Sequence, residues 1–371
     1  MTTRRNFLKN TTMLAAGLGV SPLLSSSPLR SYQKEEVING KVRIAVIGVG
    51  MGCRDLQGAL TDNPWVHCVG MCDVNKVRLE EQLARFKKDF PEQTVSIKAY
   101  TDFREVLANK EIDGVIIATP DHWHPYIFAE ALKAGKAIYV EKPVGNSISE
   151  CNAMMDFQKK YKGVVTTGLW QTSQRYFRAA NEILKSGVLG DVYKVQLWLC
   201  QSTNPRPSVE DSEAPSTLDY DMWLGPAPER PFNNSRFRGG RGFWDYGGGQ
   251  QTDWGVHWID SAFDGLKALG LCDREYPDAV FSIAYKDPAS FNETPSCQTS
   301  IFQYKNFHIE WAQQVAYLYN RNQGVAWVGS KATLVCNREG YELIPEKTRD
   351  GILLADKAQL VGRWGSRGSC D

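Results

Sequence analysis

The sequence predicts an α/β protein in two parts, a doubly wound parallel sheet followed by an α+β domain with a largely antiparallel sheet. Three observations predict it. A β-rich run, Val42–Ile47, stops at a glycine turn and gives way to a helical stretch through Leu56 and Leu60. Short apolar strands then alternate with helices as far as Val140. Beyond Gly168 the alternation ends, and β-rich segments follow one another directly.

The first strand runs into Gly48-Val49-Gly50-Met51-Gly52-Cys53. Strand, glycine turn and helix in that order form the context in which such a string binds a dinucleotide. Gly48 permits the tight turn, Gly50 lets backbone approach a pyrophosphate, and the helix N-terminus faces the phosphate charge. The third small position falls on Cys53, where Gly or Ala is usual. The second strand, 66–72, ends at Asp73, a carboxylate placed to accept the ribose hydroxyls and to repel a 2′-phosphate. NAD is therefore expected over NADP, with Arg78 keeping the phosphate reading open. Asp73 also suits a helix N-cap, which does not exclude the ribose role.

Helical periodicity over 77–90, an extended stretch over 96–100, a helix over 103–108 and an apolar strand over 114–118 continue the pattern. A helix over 125–134 carries proline in its first turn, and Ala137–Val140 is a strand. This is a Rossmann-type arrangement, in which ligands lie beyond the carboxyl ends of the strands. Thr119-Pro120 and Glu141-Lys142-Pro143 fall at those ends. In the second part, a helix over 176–185 and a strand over 192–200 precede a Pro/Arg/Trp-rich excursion over 201–246. Strands over 279–285, 297–304, 307–313, 324–328, 332–336 and 341–345 then read as a meander. No internal repeat is visible.

Composition narrows the function. The 371 residues are 42% hydrophobic and 23% charged, as in a globular protein, and the net charge of +1 comes without a basic block. Nucleic acid is therefore not an expected partner. Nine cysteines include no CxxC pair, so structural zinc is not expected and free thiols are. No metal site is predicted. The chain opens with Thr3-Arg4-Arg5-Asn6-Phe7-Leu8-Lys9 and an apolar run, Met13 to Val20, too short for a stable membrane span. This segment resembles the twin-arginine export signal of bacteria, which implies a folded protein delivered to the periplasm. The expected organisation is a signal and linker over 1–30, the dinucleotide domain over 31–168, and a substrate-binding and oligomerisation domain over 169–371.

Ala118-Thr119-Pro120 with His122 and His124, Glu141-Lys142-Pro143, and Gly247-Gly248-Gly249-Gln250-Gln251-Thr252-Asp253-Trp254-Gly255-Val256-His257 follow the G-x-G loop and Asp73 in one order. Together they resemble the Gfo/Idh/MocA oxidoreductases, over roughly residues 41 to 345. Trp223-Leu224-Gly225-Pro226-Ala227-Pro228 resembles a loop of exported bacterial members. Oxidising a secondary alcohol needs a hydride acceptor, a base for the hydroxyl proton and donors that fix the oxygen. Lys142, at a strand end, can orient the alcohol and polarise the carbonyl. Asp253 and His257 are four apart, so on an α-helix they share one face.

The resemblance implies that Lys142, Asp253 and His257 form the catalytic set, with His257 as general acid/base. It implies cofactor contacts from Gly48, Val49, Gly50, Met51, Gly52, Asp73, Thr119, Pro120, Glu141 and Lys142. His122 and His124 either join them or make hydrogen bonds at the start of the helix. Trp170, Arg175, Trp223, Arg236, Arg238, Trp244 and Tyr246 are candidates for a pocket wall, since aromatic faces and guanidinium groups suit polyhydroxylated rings. The expected activity is an NAD-dependent dehydrogenase of a sugar, glycoside or cyclitol, working as a homo-oligomer through the second sheet. Alternatives are a glycosidase that oxidises the ring transiently and a non-catalytic binding relative. Family members usually continue into a closing helix. The Gly/Ser/Arg-rich tail, 359–371, does not read as one, which leaves truncation or a frameshifted reading open.

Overall fold

The computed structural model describes residues 41–50, 63–90, 97–200, 206–272, 276–314 and 317–355. Met51, Gly52, Cys53, the helix expected through Leu56 and Leu60, the leader over 1–30 and the tail over 359–371 lie outside the described residues. The chain divides into two compact units.

The first unit is built on a six-stranded sheet: β1 (Val42–Ile47), β2 (Val66–Cys72), β3 (Lys98–Tyr100), β4 (Gly114–Ile117), β5 (Ala137–Val140) and β6 (Val165–Thr167). Their order is β3-β2-β1-β4-β5-β6, and every pairing is parallel. The order reverses between β1 and β4, the point at which such sheets take ligands. Among the described residues four helices connect the strands: α1 (Lys76–Asp89), α2 (Phe103–Ala108), α3 (His124–Lys133) and α4 (Ile148–Tyr161). Their starts are chemically marked. The side chains of Asn75, Asp102 and Ser147 accept from the backbone N–H groups of Arg78, Arg104 and Glu150. β1 and β4 carry apolar residues on both faces because helices cover both.

The second unit starts at Leu169, but the excursion over 201–246, which the sequence reading left in the second domain, is divided. Residues 209–240 and 244–247 belong to the first unit. Backbone bonds explain this: Asp219 N–H donates to Val74 and Lys76 N–H donates to Thr217, tying the excursion to the start of α1.

The second sheet has seven strands: β7 (Val192–Cys200), β8 (Ala279–Tyr285), β9 (Cys297–Gln303), β10 (His308–Gln314), β11 (Gln323–Gly329), β12 (Ala332–Asn337) and β13 (Gly340–Pro345). Their order is β13-β12-β11-β7-β10-β9-β8. The sheet is mostly antiparallel but not a plain meander, because β7 enters at its centre and pairs with β10 in parallel. A parallel pair needs a long crossover, and the chain between β7 and β10 supplies one. Helices α5 (Arg175–Lys185) and α8 (Val256–Ala268) cover one face. Phe177, Ile183, Trp258 and Leu266 bury against Leu197, Trp311, Val325 and Trp327 there. Gly265 is required at this contact, since a Cβ on it would lie 2.5 Å from the Trp327 ring. The opposite face holds a small cluster of Trp198, Ala326 and Val335.

Candidate functional site

In the first unit the strand ends build a cradle. Gly48 N–H donates to Cys72, and its φ of +88° suits only glycine. A Cβ there would fall 2.6 Å from the Ala118 carbonyl and the Thr119 nitrogen, so β1 exits in contact with the exit of β4. Val49 N–H donates to one oxygen of Asp73 at 3.0 Å, and Asn75 N–H to the other at 2.9 Å. The carboxylate is thus fixed where β2 ends. Burial raises its pKa, opposed by these two donors and by the Arg78 guanidinium. Arg78 itself sits 3.5 Å from the place a Cβ on Gly50 would take, and 6.0 Å from the Phe237 ring.

At the end of β4, the Thr119 hydroxyl is buried with no hydrogen-bond partner among the described residues. His122 and His124 are buried, and Nε2 of the first and both ring nitrogens of the second meet backbone carbonyls. His122 Nε2 lies 3.0 Å from the Trp223 oxygen. His124 bridges Pro143 at 2.7 Å and Thr119 at 2.8 Å, joining the loops after β5 and β4. Of the two roles open for these residues, the geometry displays the bracing one. Trp123 Nε1–H also donates to the Trp223 carbonyl at 3.0 Å. Trp223 lies in the short helix α6 (Tyr220–Leu224) and packs on Tyr246. Gly225, which follows the helix, has φ +48°, and a Cβ on it would fall 1.9 Å from the Trp123 ring. The Trp223–Pro228 motif is therefore a seat for the β4 turn.

At the end of β5, Glu141 accepts from the Tyr139 hydroxyl at 3.1 Å and from Lys142 N–H at 3.3 Å. Gly168 packs so closely that a Cβ on it would stand 2.8 Å from the carboxylate, and burial raises the Glu141 pKa. Lys142 is half-buried beside it. Two pocket-wall candidates are corrected here. Trp223 is buried among aromatic rings. Arg236, in helix α7 (Asn234–Arg238), is held by Asp211 and the Pro231 carbonyl, each at 3.0 Å. Trp244 is exposed, at 53%.

In the second unit His257 opens α8, buried. Residues Gln251–Gly255, with Asp253, form a π-type turn rather than α-helix. Bonding from i to i+5 widens the turn, so four residues fall short of a full one and the α-helical stacking expected for Asp253 and His257 is altered. Asp253 instead faces Arg241, with Nε 3.4 Å from a carboxylate oxygen. The His257 ring meets Trp170 and Trp254 edge-on at 5.9 and 6.4 Å. Arg175 turns away to its own neighbour, donating to the Tyr176 hydroxyl at 2.7 Å.

Sequence reasoning missed Gln171, Trp254 and Arg338. Gln171 is fully buried and donates to the His257 carbonyl and the Ser261 hydroxyl. The Arg338 guanidinium lies over both indoles, at 4.7 Å from Trp170 and 4.6 Å from Trp254. Trp254 stood inside the quoted motif and was readable; Arg338 sits in a hairpin turn with no local signal.

A model of the GFO_IDH_MocA oxidoreductase family, NAD-binding Rossmann fold, matches residues 42–169. The model of that family's C-terminal alpha/beta domain matches 178–267, and together they cover more than half of the chain. An Alpha-N-acetylgalactosaminidase of Tannerella forsythia is 33% identical over 163 residues, covering 40% of this chain and 34% of that protein. An Inositol 2-dehydrogenase of Salmonella typhimurium is 24% identical over 151 residues, covering 40% of this chain and 43% of that protein. The chain thus spans well under half the length of these relatives. Among solved structures, a levoglucosan dehydrogenase in complex with NADH superposes with a TM-score of 0.61 at 18% identity, covering 84% of this chain and 78% of that one.

Proposed function

Because this chain belongs to the Gfo/Idh/MocA oxidoreductase family, we propose that it oxidises a secondary alcohol of a sugar, glycoside or cyclitol with NAD. The observation that carries this reading is the Gly48–Asp73 cradle: a glycine against the β4 exit and a carboxylate fixed at the end of β2. When bound, NAD supplies the hydride acceptor. Gly48, Val49 and Gly50 fit the backbone approach of a pyrophosphate, and Asp73 fits the ribose hydroxyls. Thr119, whose buried hydroxyl has no partner among the described residues, Pro120 and Glu141 stand at the neighbouring strand ends. Lys142 donates to the alcohol oxygen and stabilises charge on it. His257 takes the hydroxyl proton, and Asp253 helps bind substrate and hold the imidazole.

A thermal-shift screen of hexoses, cyclitols and glycosides, with and without NAD, tests this reading. NAD alone is expected to stabilise the fold by about 2.7 kcal/mol at a hundred times Kd and so raise the melting midpoint, and the substrate to raise it further only with NAD present. No shift with NAD refutes the proposal.

The identity to the Alpha-N-acetylgalactosaminidase favours one second reading, a glycosidase that oxidises the ring transiently. Release of p-nitrophenol from its α-N-acetylgalactosaminide without net NADH distinguishes it. We further propose export by the twin-arginine route, from Arg4-Arg5 and the apolar run after them. Retention in the cytoplasm of a strain lacking that translocon is the expected result. Among the described residues no helix is long and apolar enough to cross a membrane. The oligomer is proposed to form through the sheet face where Phe281, Ile283 and Tyr285 are exposed, and sedimentation velocity reads it.

A further inference from the structure

Four segments of the second unit meet around His257, and one side chain touches two of the others directly and reaches α8 through Gln171. Arg338 stands in the turn between β12 and β13. Its guanidinium stacks on Trp170, which opens a 3-10 turn, and on Trp254, in the π turn that leads into α8. The same two indoles meet the His257 ring edge-on. A second route runs through hydrogen bonds. Arg338 Nε–H donates to Gln171 Oε1 at 2.9 Å. Gln171 Nε2–H reaches the His257 carbonyl at 3.3 Å and the Ser261 hydroxyl at 2.9 Å. The Ser261 hydroxyl in turn donates to that carbonyl at 3.0 Å.

We propose that Arg338 is a positioning residue for His257, clamping the two indoles that flank the imidazole and, through Gln171, the backbone from which it projects. Three physical features support this. A guanidinium is flat and always charged, so it can lie on aromatic faces as an ammonium cannot. Arg338 and Trp254 are half-buried, which strengthens the cation–π contact between them, while the Trp170 contact is made at an exposed indole. The π turn is a departure from regular helix of the kind found at functional sites, and its tryptophan is held from outside the helix. An imidazole that moves proton must keep its angle and distance, and a small misplacement lowers rate steeply. This inference rests on His257 being the acid/base.

The experiment uses the full chain with histidines labelled at Cε1, the His257 signal being assigned by its loss in His257→Ala. Ring currents of two indoles mark that signal, so it reports the slot without any substrate. In Arg338→Met the signal is expected to move towards the positions of exposed histidines, and in Arg338→Lys to move less. Turnover is measured with myo-inositol plus NAD and with the p-nitrophenyl α-N-acetylgalactosaminide. On whichever of these the parent turns over, kcat is expected to fall roughly tenfold or more in Arg338→Met, with the KM for NAD unchanged and partial recovery in Arg338→Lys. An unmoved His257 signal in folded Arg338→Met overturns the inference; should that variant not fold, an unmoved signal in Arg338→Lys and Trp254→Phe does so. Parental turnover by His257→Ala, with the signal moved in Arg338→Met, instead refutes the acid–base reading and leaves the clamp standing.

Discussion

Replacing Gly48 by alanine tests the cradle through its sterics. At φ +88° an L-residue is strained, by about 1–2 kcal/mol on the left-handed scale. Its new methyl would sit 2.6 Å from the Ala118 carbonyl carbon and oxygen and from the Thr119 nitrogen. These are backbone atoms just past β4, tethered by the Ala118 N–H bond to the Ile47 carbonyl at 2.8 Å, and cannot swing aside as a flexible side chain can. Overpacking of this kind costs about 1–3 kcal/mol. The expected destabilisation is therefore about 2–5 kcal/mol, a large share of a typical folding free energy. Gly135 provides the control, because it has φ +71° and nothing within 4 Å of an added Cβ. Gly135→Ala should show the backbone strain alone, about 1–2 kcal/mol. Urea unfolding, followed by circular dichroism and by tryptophan fluorescence, measures both variants against the parent. The difference between the two is the contact with the β4 exit. Equal destabilisation, within about 0.5 kcal/mol, refutes the packing of β1 against that exit and with it the cradle.

Other outcomes follow from the same geometry. Calorimetry should show NAD bound at least about tenfold tighter than NADP, a gap of roughly 1.4 kcal/mol, and Asp73→Ala should erase it; equal affinities in the parent leave Asp73 only a brace for the turn. Because burial raises the Asp73 pKa, the carboxylate loses its charge earlier on acidification than an ordinary one. The preference for NAD should then weaken as pH falls, beginning above the usual carboxylate range, and a pH-independent preference contradicts this. Lys142→Met is expected to lower turnover about a hundredfold or more with melting and NAD affinity kept, whereas activity within about fivefold of the parent, near 1 kcal/mol, removes it from the reaction. Gly225→Ala drives a methyl into the Trp123 ring and should cost about 2 kcal/mol or more; an unchanged melt shows that the Trp223–Pro228 loop does not seat the β4 turn.

Local chemistry made much of the fold legible. Ala137–Val140, Phe103–Ala108, Val192–Cys200 and Ala279–Tyr285 match the boundaries read from apolar runs and turn residues, because each period is set within a few neighbours. Helix α4 was missed although Ser147 and Glu150 mark its start, and β6 has only three residues and little apolar content. The central place of β7 was not readable, since it depends on which distant strand wins the pairing. The site divides in the same way. Gly48 and Asp73 announce themselves through turn chemistry at strand ends. The π turn at Asp253 hides in a sequence that spaces its residues like an α-helix. Arg338 is brought to His257 only by the sheet, from a turn more than eighty residues beyond the motif.

The central claim, hydride transfer from an alcohol to NAD, is tested most directly by product stoichiometry. The full chain, NAD and a panel of cyclitols, hexoses, levoglucosan and p-nitrophenyl glycosides are incubated together, with NADH and carbonyl product counted in the same samples. The account predicts at least one substrate that yields NADH and carbonyl product in equal amounts. NAD binding without NADH from any of them, or release of p-nitrophenol with no net NADH, contradicts it.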